Sequence, residues 1–367
     1  MDIRENSSKT DFNFILLILT LTIISLINLY SATHGLSAEG LSRTFLSQVI
    51  WYIAGWILFG VVTFINLEVI KRLVWPIYFL NLLFLIGVKL FGKSFYGAQR
   101  WLDFGFFRFQ PSETMKVALV LVLASVLAKK LTQGSLGLKD LLFPVVICLV
   151  PFGLTVIQPD LGTALVMGVI AATMALFTGI NKKIILSIML VVPLCLPLVW
   201  NYGLKGYQKQ RVLTFVNPGK DIRGGGYNSR QSKIAVGSGM LIGRGFRKGT
   251  QSQLEFLPER HTDFIFSVLS EEHGFIGSVF VVLLFLFLFL NLTNIAQLSP
   301  DPFGTLVTIG IGALIFWHFF INVGMITGML PVVGVPLPFF SYGGSSILTT
   351  MAALGIVSSI SRKRSIF

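Results

Sequence analysis

Ten apolar runs follow one another along this chain, and they constrain its fold more than any other feature. They are Phe12–Tyr30, Phe45–Asn66, Leu73–Phe91, Ser112–Leu127, Leu141–Gln158, Leu161–Thr178, Ile184–Trp200, Phe264–Asn291, Phe303–Gly328 and Gly343–Ile360. The first has 19 residues, which is about 28 Å of helix against a hydrocarbon core of ~30 Å. Only 12% of the 367 residues are charged, about half the share in soluble domains. Mean hydropathy is +0.79. These values exclude a soluble globular enzyme, a disordered chain and a disulfide-stapled module. The expected fold is an all-α integral membrane protein with ten transmembrane helices, and residues 1–367 form one membrane domain. The fifth and sixth runs are short and separated only by Pro159 and Asp160, so they read as a tight re-entry. Phe12–Tyr30 is too long for a signal core and follows Asp2, Glu5 and Asp11, so no cleavable leader is expected. Cys148 and Cys195 lie in apolar runs without CxxC spacing and read as inert thiols.

Lysine and arginine in the short loops set the orientation. With the N-terminus inside, the inner segments hold Arg4, Lys9, Lys71, Arg72, Lys129, Lys130, Lys139, Lys182, Lys183, Arg362, Lys363 and Arg364, twelve in all. The short outer loops hold four: Arg43, Lys93, Arg100 and Arg108. Both termini are therefore expected in the cytoplasm. The long polar segment 201–263, between the seventh and eighth helices, is then outside the membrane. It carries Lys205, Lys209, Arg211, Lys220, Arg223, Arg230, Lys233, Arg244, Arg247, Lys248 and Arg260 against Asp221, Glu255, Glu259 and Asp263, a net of 11 − 4 = +7 within a total of +13. An outward basic loop fits either a solvated face over anionic headgroups or a site for a phosphorylated anion.

Four features are costly or odd at membrane depth. Glu113 and Lys116 open the fourth run on one helix face; they read as a site inside the membrane or as a snorkelling pair. Asp160, after Pro159, can cap the sixth helix and also face a site. Asp263, flanked by Arg260 and His261 and followed by Phe264-Ile265-Phe266, reads as a partly desolvated base or as another N-cap. Pro331, Pro336 and Pro338 precede Ser341-Tyr342-Gly343-Gly344, so this stretch cannot be regular helix and must line a cavity or lie inside protein. On the orientation above, all four fall on the outer side and can gather at one outward cavity. The glycines from Gly237 to Gly243 do not follow a strand, and there is no P-loop or HExxH. The four histidines are scattered, so no metal set is visible.

An outward site has no access to ATP, so group transfer there needs a leaving group already in the substrate. A lipid-linked diphosphate sugar meets that need. Together with Gly97-Ala98-Gln99-Arg100-Trp101-Leu102-Asp103, Phe109-Gln110-Pro111-Ser112-Glu113, Gln158-Pro159-Asp160-Leu161-Gly162-Thr163, Gln231-Ser232-Lys233-Ile234-Ala235, Gly249-Thr250-Gln251-Ser252-Gln253, Pro258-Glu259-Arg260-His261-Thr262-Asp263-Phe264 and Leu330-Pro331-Val332-Val333-Gly334-Val335-Pro336, the chain resembles the SEDS family (shape, elongation, division and sporulation). The Gln99-Arg100-Trp101 and Glu259-Arg260-His261 forms are similar to its elongation branch rather than its division branch.

The resemblance implies an inverting peptidoglycan glycosyltransferase. It would polymerise lipid II, undecaprenyl-diphosphate disaccharide-pentapeptide, into β-1,4 glycan strands during cell elongation. It also implies a location in the bacterial inner membrane among membrane lipids, with a class B penicillin-binding protein as transpeptidase partner and no nucleic acid. The position matching Asp263 is the family's essential acid. On that reading Asp263 is the base, and Glu113, Lys116 and Asp160 support the cavity. Arg100, Arg211, Lys233, Arg260 and Ser341 are the candidates for substrate or diphosphate, and a divalent cation is a further candidate. A lipid II flippase is the alternative, and a non-catalytic scaffold is a third reading. The one-sided acids and the lack of an inverted repeat favour the enzyme over the transporter.

Overall fold

The computed structural model describes residues 3–34, 41–95, 98–103, 105, 108–131, 134–217, 225–254 and 256–363. Asp2, Gly97, Lys220, Asp221, Arg223, Glu255 and Arg364, used above, lie outside them, as do the side chains of Arg4, Glu5, Lys9, Asp11, Lys93 and Lys363. Each apolar run falls on a helix: α1 (Ile3–Thr33), α2 (Arg43–Phe64), α3 (Leu67–Phe91), α4 (Pro111–Leu131), α5 (Leu138–Ile157), α6 (Leu161–Thr178), α7 (Lys182–Leu198), α11 (Ile265–Gln297), α12 (Pro302–Thr327) and α13 (Gly344–Lys363). A small antiparallel sheet, β1 (Lys93–Phe95), β2 (Ala98–Asp103) and β3 (Arg108–Phe109), joins α3 to α4. The chain is an all-α membrane protein. Among the described residues, nine helices are long and apolar enough to cross a bilayer. The exception is α4, which has 21 residues and is interrupted by charge.

Helix α4 is the hub of the bundle. It packs against α3, α5, α6, α12 and α13, and Met115, Ala118, Leu119, Val120, Val122 and Ala124 on successive faces are all fully buried. A helix enclosed on every side meets protein rather than lipid, which is why it tolerates a fully buried ion pair, Glu113 with Lys116. Helix α7 is the opposite case. It is apolar, carries Pro193 and Pro197, ends in a π-turn at Val199–Gly203, and buries none of its residues.

The re-entry expected for the fifth and sixth runs does not occur. Helix α5 has 20 residues and α6 has 18, about 30 and 27 Å of helix, and they pack together as a hairpin. Pro144 and Pro151 are absorbed inside α5. Pro151 lacks the N–H that would bond the Ile147 carbonyl. The Tyr78 hydroxyl of α3 donates to that oxygen at 2.8 Å instead.

The polar segment 201–263 is also more regular than a loop. It contains α8 (Gly206–Val216), α9 (Gly225–Ser238) and α10 (Thr250–Gln253). Helix α9 packs on α11 and α12; its buried Ser232 meets Ser267 at 3.1 Å and donates to the Ile326 carbonyl at 2.9 Å. The stretch after α9 is threaded into a break in α11. At Gly274 the backbone leaves the helical region (φ 64°, ψ −160°). The Phe275 and Ile276 amides then donate to the Met240 and Leu241 carbonyls at 2.8 and 3.0 Å. The freed Glu271 and Glu272 carbonyls accept from the Arg244 and Gly245 amides at 3.0 Å each. These two amides and two carbonyls freed at the break are thus satisfied by the inserted stretch, as a break at membrane depth requires. A Cβ at Gly274 would lie 2.3 Å from the Gly243 nitrogen, so only glycine fits.

Candidate active site

The site begins with a tight turn. Glu259 sits at φ 53°, where a side chain costs about 1–2 kcal/mol. The turn is held because the Thr262 and Phe264 amides both donate to the Glu259 carbonyl, at 3.1 and 3.2 Å, and the Thr262 hydroxyl donates to Glu259 Oε2 at 2.9 Å. Asp263 follows, just before α11. It does not cap that helix: the N-cap residue is Phe264, with no side-chain cap bond.

The proline- and glycine-rich stretch lies against this turn and is non-helical, as the prolines require. The buried Asn322 of α12 holds the two together, donating to the Asp263 carbonyl at 2.9 Å and the Val335 carbonyl at 2.8 Å. The Tyr342 amide donates to the His261 carbonyl at 2.8 Å. Behind the loop, Ser25 of α1 and Tyr52 of α2 both donate to the Phe339 carbonyl, at 2.9 and 2.5 Å. Gln48 bonds the Ser341 carbonyl and the Gly343 amide. Gly334 has φ 74°, and a Cβ there would stand 3.2 Å from Asp263 Oδ2.

Asp263 opens into a cavity of about 300 Å³. Gln210, Arg211, Thr214 and Phe215 of α8 with Asn228 and Ser229 of α9 form one wall. Glu259, Phe264, Leu330, Val332 and Gly334 form the other. Burial of its carboxylate pushes the Asp263 pKa up to about 6, with the Glu259 carboxylate adding to the rise and Arg211 and Arg100 opposing it. Among the described residues it has no ion-pair partner, and a carboxylate raised this way is poised to take a proton near neutrality. His261 beside it is held below its usual pKa by burial.

Of the residues expected from sequence, Arg211 joins Asp263 at this cavity; its guanidinium also donates to the Val333 carbonyl at 3.0 Å. Asp160 is buried and caps α6 through the Thr163 amide at 3.3 Å and the Thr163 hydroxyl at 2.9 Å. Arg100 Nε stands 3.8 Å from Asp160 Oδ2, and the Arg100 guanidinium donates to the Pro159 carbonyl. Asp160 reaches Asp263 electrostatically but does not line the cavity.

Glu113 and Lys116 are buried and paired at 2.8 Å. Lys116 also meets His318 Nε2 of α12 at 2.6 Å, and His318 Nδ1 meets the Leu314 carbonyl at 2.8 Å. The carbonyl bond assigns the proton to Nδ1, which leaves Nε2 to accept from the ammonium. His318 and Asn322 are four residues apart, so this triad lies about 6 Å along α12 from the Asn322–Asp263 contact.

Three candidates turn away. Lys233 lies over Gly328 at the C-terminus of α12, where a Cβ would fall 2.4 Å from its Nζ. Arg260 Nε donates to the Ala32 carbonyl at the end of α1, at 2.8 Å. Both hydroxyl functions of Ser341 are used, donating to the Thr262 carbonyl at 2.7 Å and accepting from the Leu337 amide at 2.8 Å, so Ser341 fastens the loop to the turn.

Sequence reasoning did not single out Glu259, Asn322, His318 or the polar residues of α8 and α9. His318 and Asn322, polar at i and i+4 within an apolar span, carried a readable signal. Among the described residues, no three His, Cys, Asp or Glu side chains converge as metal ligands.

The profile of the FtsW/RodA/SpoVE family, described as cell cycle protein, matches residues 11–366. The chain is 39% identical to the peptidoglycan glycosyltransferase MrdB of Escherichia coli K12, over 94% of this chain and 93% of that protein. It is 33% identical to the peptidoglycan glycosyltransferase RodA of Treponema pallidum, over 97% and 98%. Among solved structures, it resembles a chain of a peptidoglycan synthase complex described as coordinating polymerization and crosslinking (TM-score 0.82, 29% identity, 96% and 98% covered). It also resembles the rod shape determining protein RodA of Thermus thermophilus (TM-score 0.71, 26% identity, 96% and 97% covered).

Proposed function

The chain belongs to the FtsW/RodA/SpoVE family, and from that premise we propose how its site works as a peptidoglycan glycosyltransferase of the RodA type. The whole chain acts as one membrane unit, with α4 as the tenth crossing and both termini in the cytoplasm. Twelve inner cations against four in the short outer loops support that orientation. Asp263 then faces the outside, and the substrate is lipid II.

Asp263 accepts the proton of an acceptor sugar hydroxyl. The hydroxyl oxygen forms a bond to the anomeric carbon of the donor. The bond from that carbon to the diphosphate oxygen breaks, and undecaprenyl diphosphate leaves with the electron pair. Attack opposite the leaving group inverts the centre and gives a β-1,4 link. The proton then passes from Asp263 to water. Arg211, the cation at the cavity, offsets charge building on the diphosphate, and Arg100 holds Asp160 and the start of α6 in register beside it. The partner is a class B penicillin-binding protein, a reading supported by the likeness to a synthase complex.

The observation that carries this is the Asp263 carboxylate itself: without an ion-pair partner among the described residues, raised to about 6 and open to a cavity that Arg211 also lines. In a purified assay with labelled lipid II, Asp263→Asn is expected to lose about 10²–10⁴-fold in polymerisation with insertion and folding retained. Polymer formation at the wild-type rate would remove Asp263 from this role. Redistribution of lipid II across a vesicle without polymer would mark a transporter.

A further inference from the structure

The cavity beside Asp263 is built from residue types that the basic composition of segment 201–263 does not lead one to expect. Of the four cations considered for the diphosphate, Arg100, Lys233 and Arg260 point elsewhere, and among the described residues Arg211 alone lines the wall. Two carboxylates, Glu259 and Asp263, face the same space. A diphosphate is repelled from such a chamber. What the chamber offers instead is Gln210, Asn228 and Ser229, whose side chains make no hydrogen bond or ion pair among the described residues. Beside them is the ring of Phe215, 39% exposed on the same wall. Gln210 and Phe215 share α8, while Asn228 and Ser229 begin α9.

Unpartnered amide and hydroxyl groups around an exposed aromatic face match a pyranose ring, which carries hydroxyls on its rim and an apolar C–H face. The volume of about 300 Å³ is at the small end of ligand sites. It suits one saccharide unit and not the whole lipid-linked molecule. A group that takes a proton from the attacking hydroxyl must stand within hydrogen-bond reach of it, so the sugar in this chamber is the acceptor. We infer that Phe215, Asn228, Gln210 and Ser229 form the acceptor-saccharide subsite, with Phe215 as the platform under the ring and the three polar side chains reading its hydroxyl and N-acyl substituents. The inference rests on the glycosyltransferase reading above and names the substrate group and its residues. The diphosphate then lies outside the chamber, on the far side of Arg211.

The test uses the full-length protein with its transpeptidase partner and labelled lipid II. Phe215→Ala and Asn228→Ala are each expected to raise KM about tenfold, the loss of one good contact, with kcat within about threefold and the acid limb of the pH profile unmoved. Phe215→Trp adds a direct readout. Its indole emission should shift and saturate on addition of a soluble N-acetylated disaccharide, and Asn228→Ala in the same background should weaken that response about tenfold. The four side chains line open space, so their variants should unfold at the wild-type temperature. If Asp263→Asn is inactive while Phe215→Ala and Asn228→Ala keep the wild-type KM and the indole does not respond, the subsite is overturned and the base assignment stands. If Asp263→Asn still polymerises, the base assignment fails whatever the other variants do.

Discussion

Two acidic centres lie about 6 Å apart along α12, and they are built on opposite principles. Glu113 is buried at 5% exposure and paired with Lys116, which is shared with His318. Every charge in that triad has a partner. Asp263 has a cavity in front of it and, among the described residues, no ion-pair partner; burial and then Glu259 raise it, and Arg211 and Arg100 oppose them. The sequence presents both as acids at membrane depth. The difference lies in their partners: a satisfied ion pair fixes α4 against α12, while an unsatisfied carboxylate can accept a proton. Ionisable groups at membrane depth therefore need sorting by what they touch before any is assigned to chemistry.

The largest expected effect separates the two centres by kind. Lys116→Met leaves Glu113 buried without its cation and should cost about 3–5 kcal/mol in thermal unfolding in detergent. The double change Glu113→Leu with Lys116→Met should recover most of that loss. Asp263→Asn should not destabilise the protein. The sign follows from the raised pKa. Relative to an unfolded value of 3.8, the stability that Asp263 contributes is present below that pH and lost as pH rises through about 6. At pH 7 the neutral amide is thus as stable as the acid or more so. A large loss of stability in Asp263→Asn would erase the contrast.

Next in size is Gly334→Ala. A side chain at φ 74° costs about 1–2 kcal/mol, and it would crowd Asp263 Oδ2. The rate should fall roughly tenfold with little change in KM, and the strain should lower the melting temperature by about 2–4 °C. An equal fall in Gly328→Ala, at a positive φ of 78° but beneath Lys233, would show that strain alone is responsible. Smallest is Lys233→Ala. Its side chain lies over Gly328 at the end of α12 and does not line the cavity, so stability should move by less than about 0.5 kcal/mol and polymerisation should hold. A marked loss of activity would return Lys233 to the site.

The spans were legible because hydrophobic length alone identifies them, and each of the ten runs met a helix. The hairpin of α5 and α6 was misread because the two runs looked short and only Pro159 and Asp160 separate them; with Pro144 and Pro151 absorbed inside α5, each is in fact a full-length helix. The rescue of the Ile147 carbonyl comes from Tyr78, about seventy residues earlier, and no local pattern announces it. Helices α8 and α9 were missed for a related reason. They are polar and glycine-containing, and α9 is ordered by Ser232 meeting Ser267 and Ile326 across the bundle. Asp263 was readable because a carboxylate before Phe264-Ile265-Phe266 must sit at a boundary. Its neighbours were less so: charge placed Lys233 and Arg260 at the site, but each side chain went to a helix end, where carbonyls attract cations. The small polar residues facing Asp263 carry no signal until α8 and α9 are placed.

The pH dependence of the polymerisation rate under saturating lipid II tests the central claim most directly. A single acid limb is expected, with activity falling as pH drops through about 6, where Asp263 takes up its proton, and with a plateau above. In Asp263→Glu the residual rate should keep a one-proton limb, and in Asp263→Asn only a flat background should remain. A wild-type rate that stays level from about pH 7 down to the ordinary carboxylate range near 4 would contradict the assignment of Asp263 as the base.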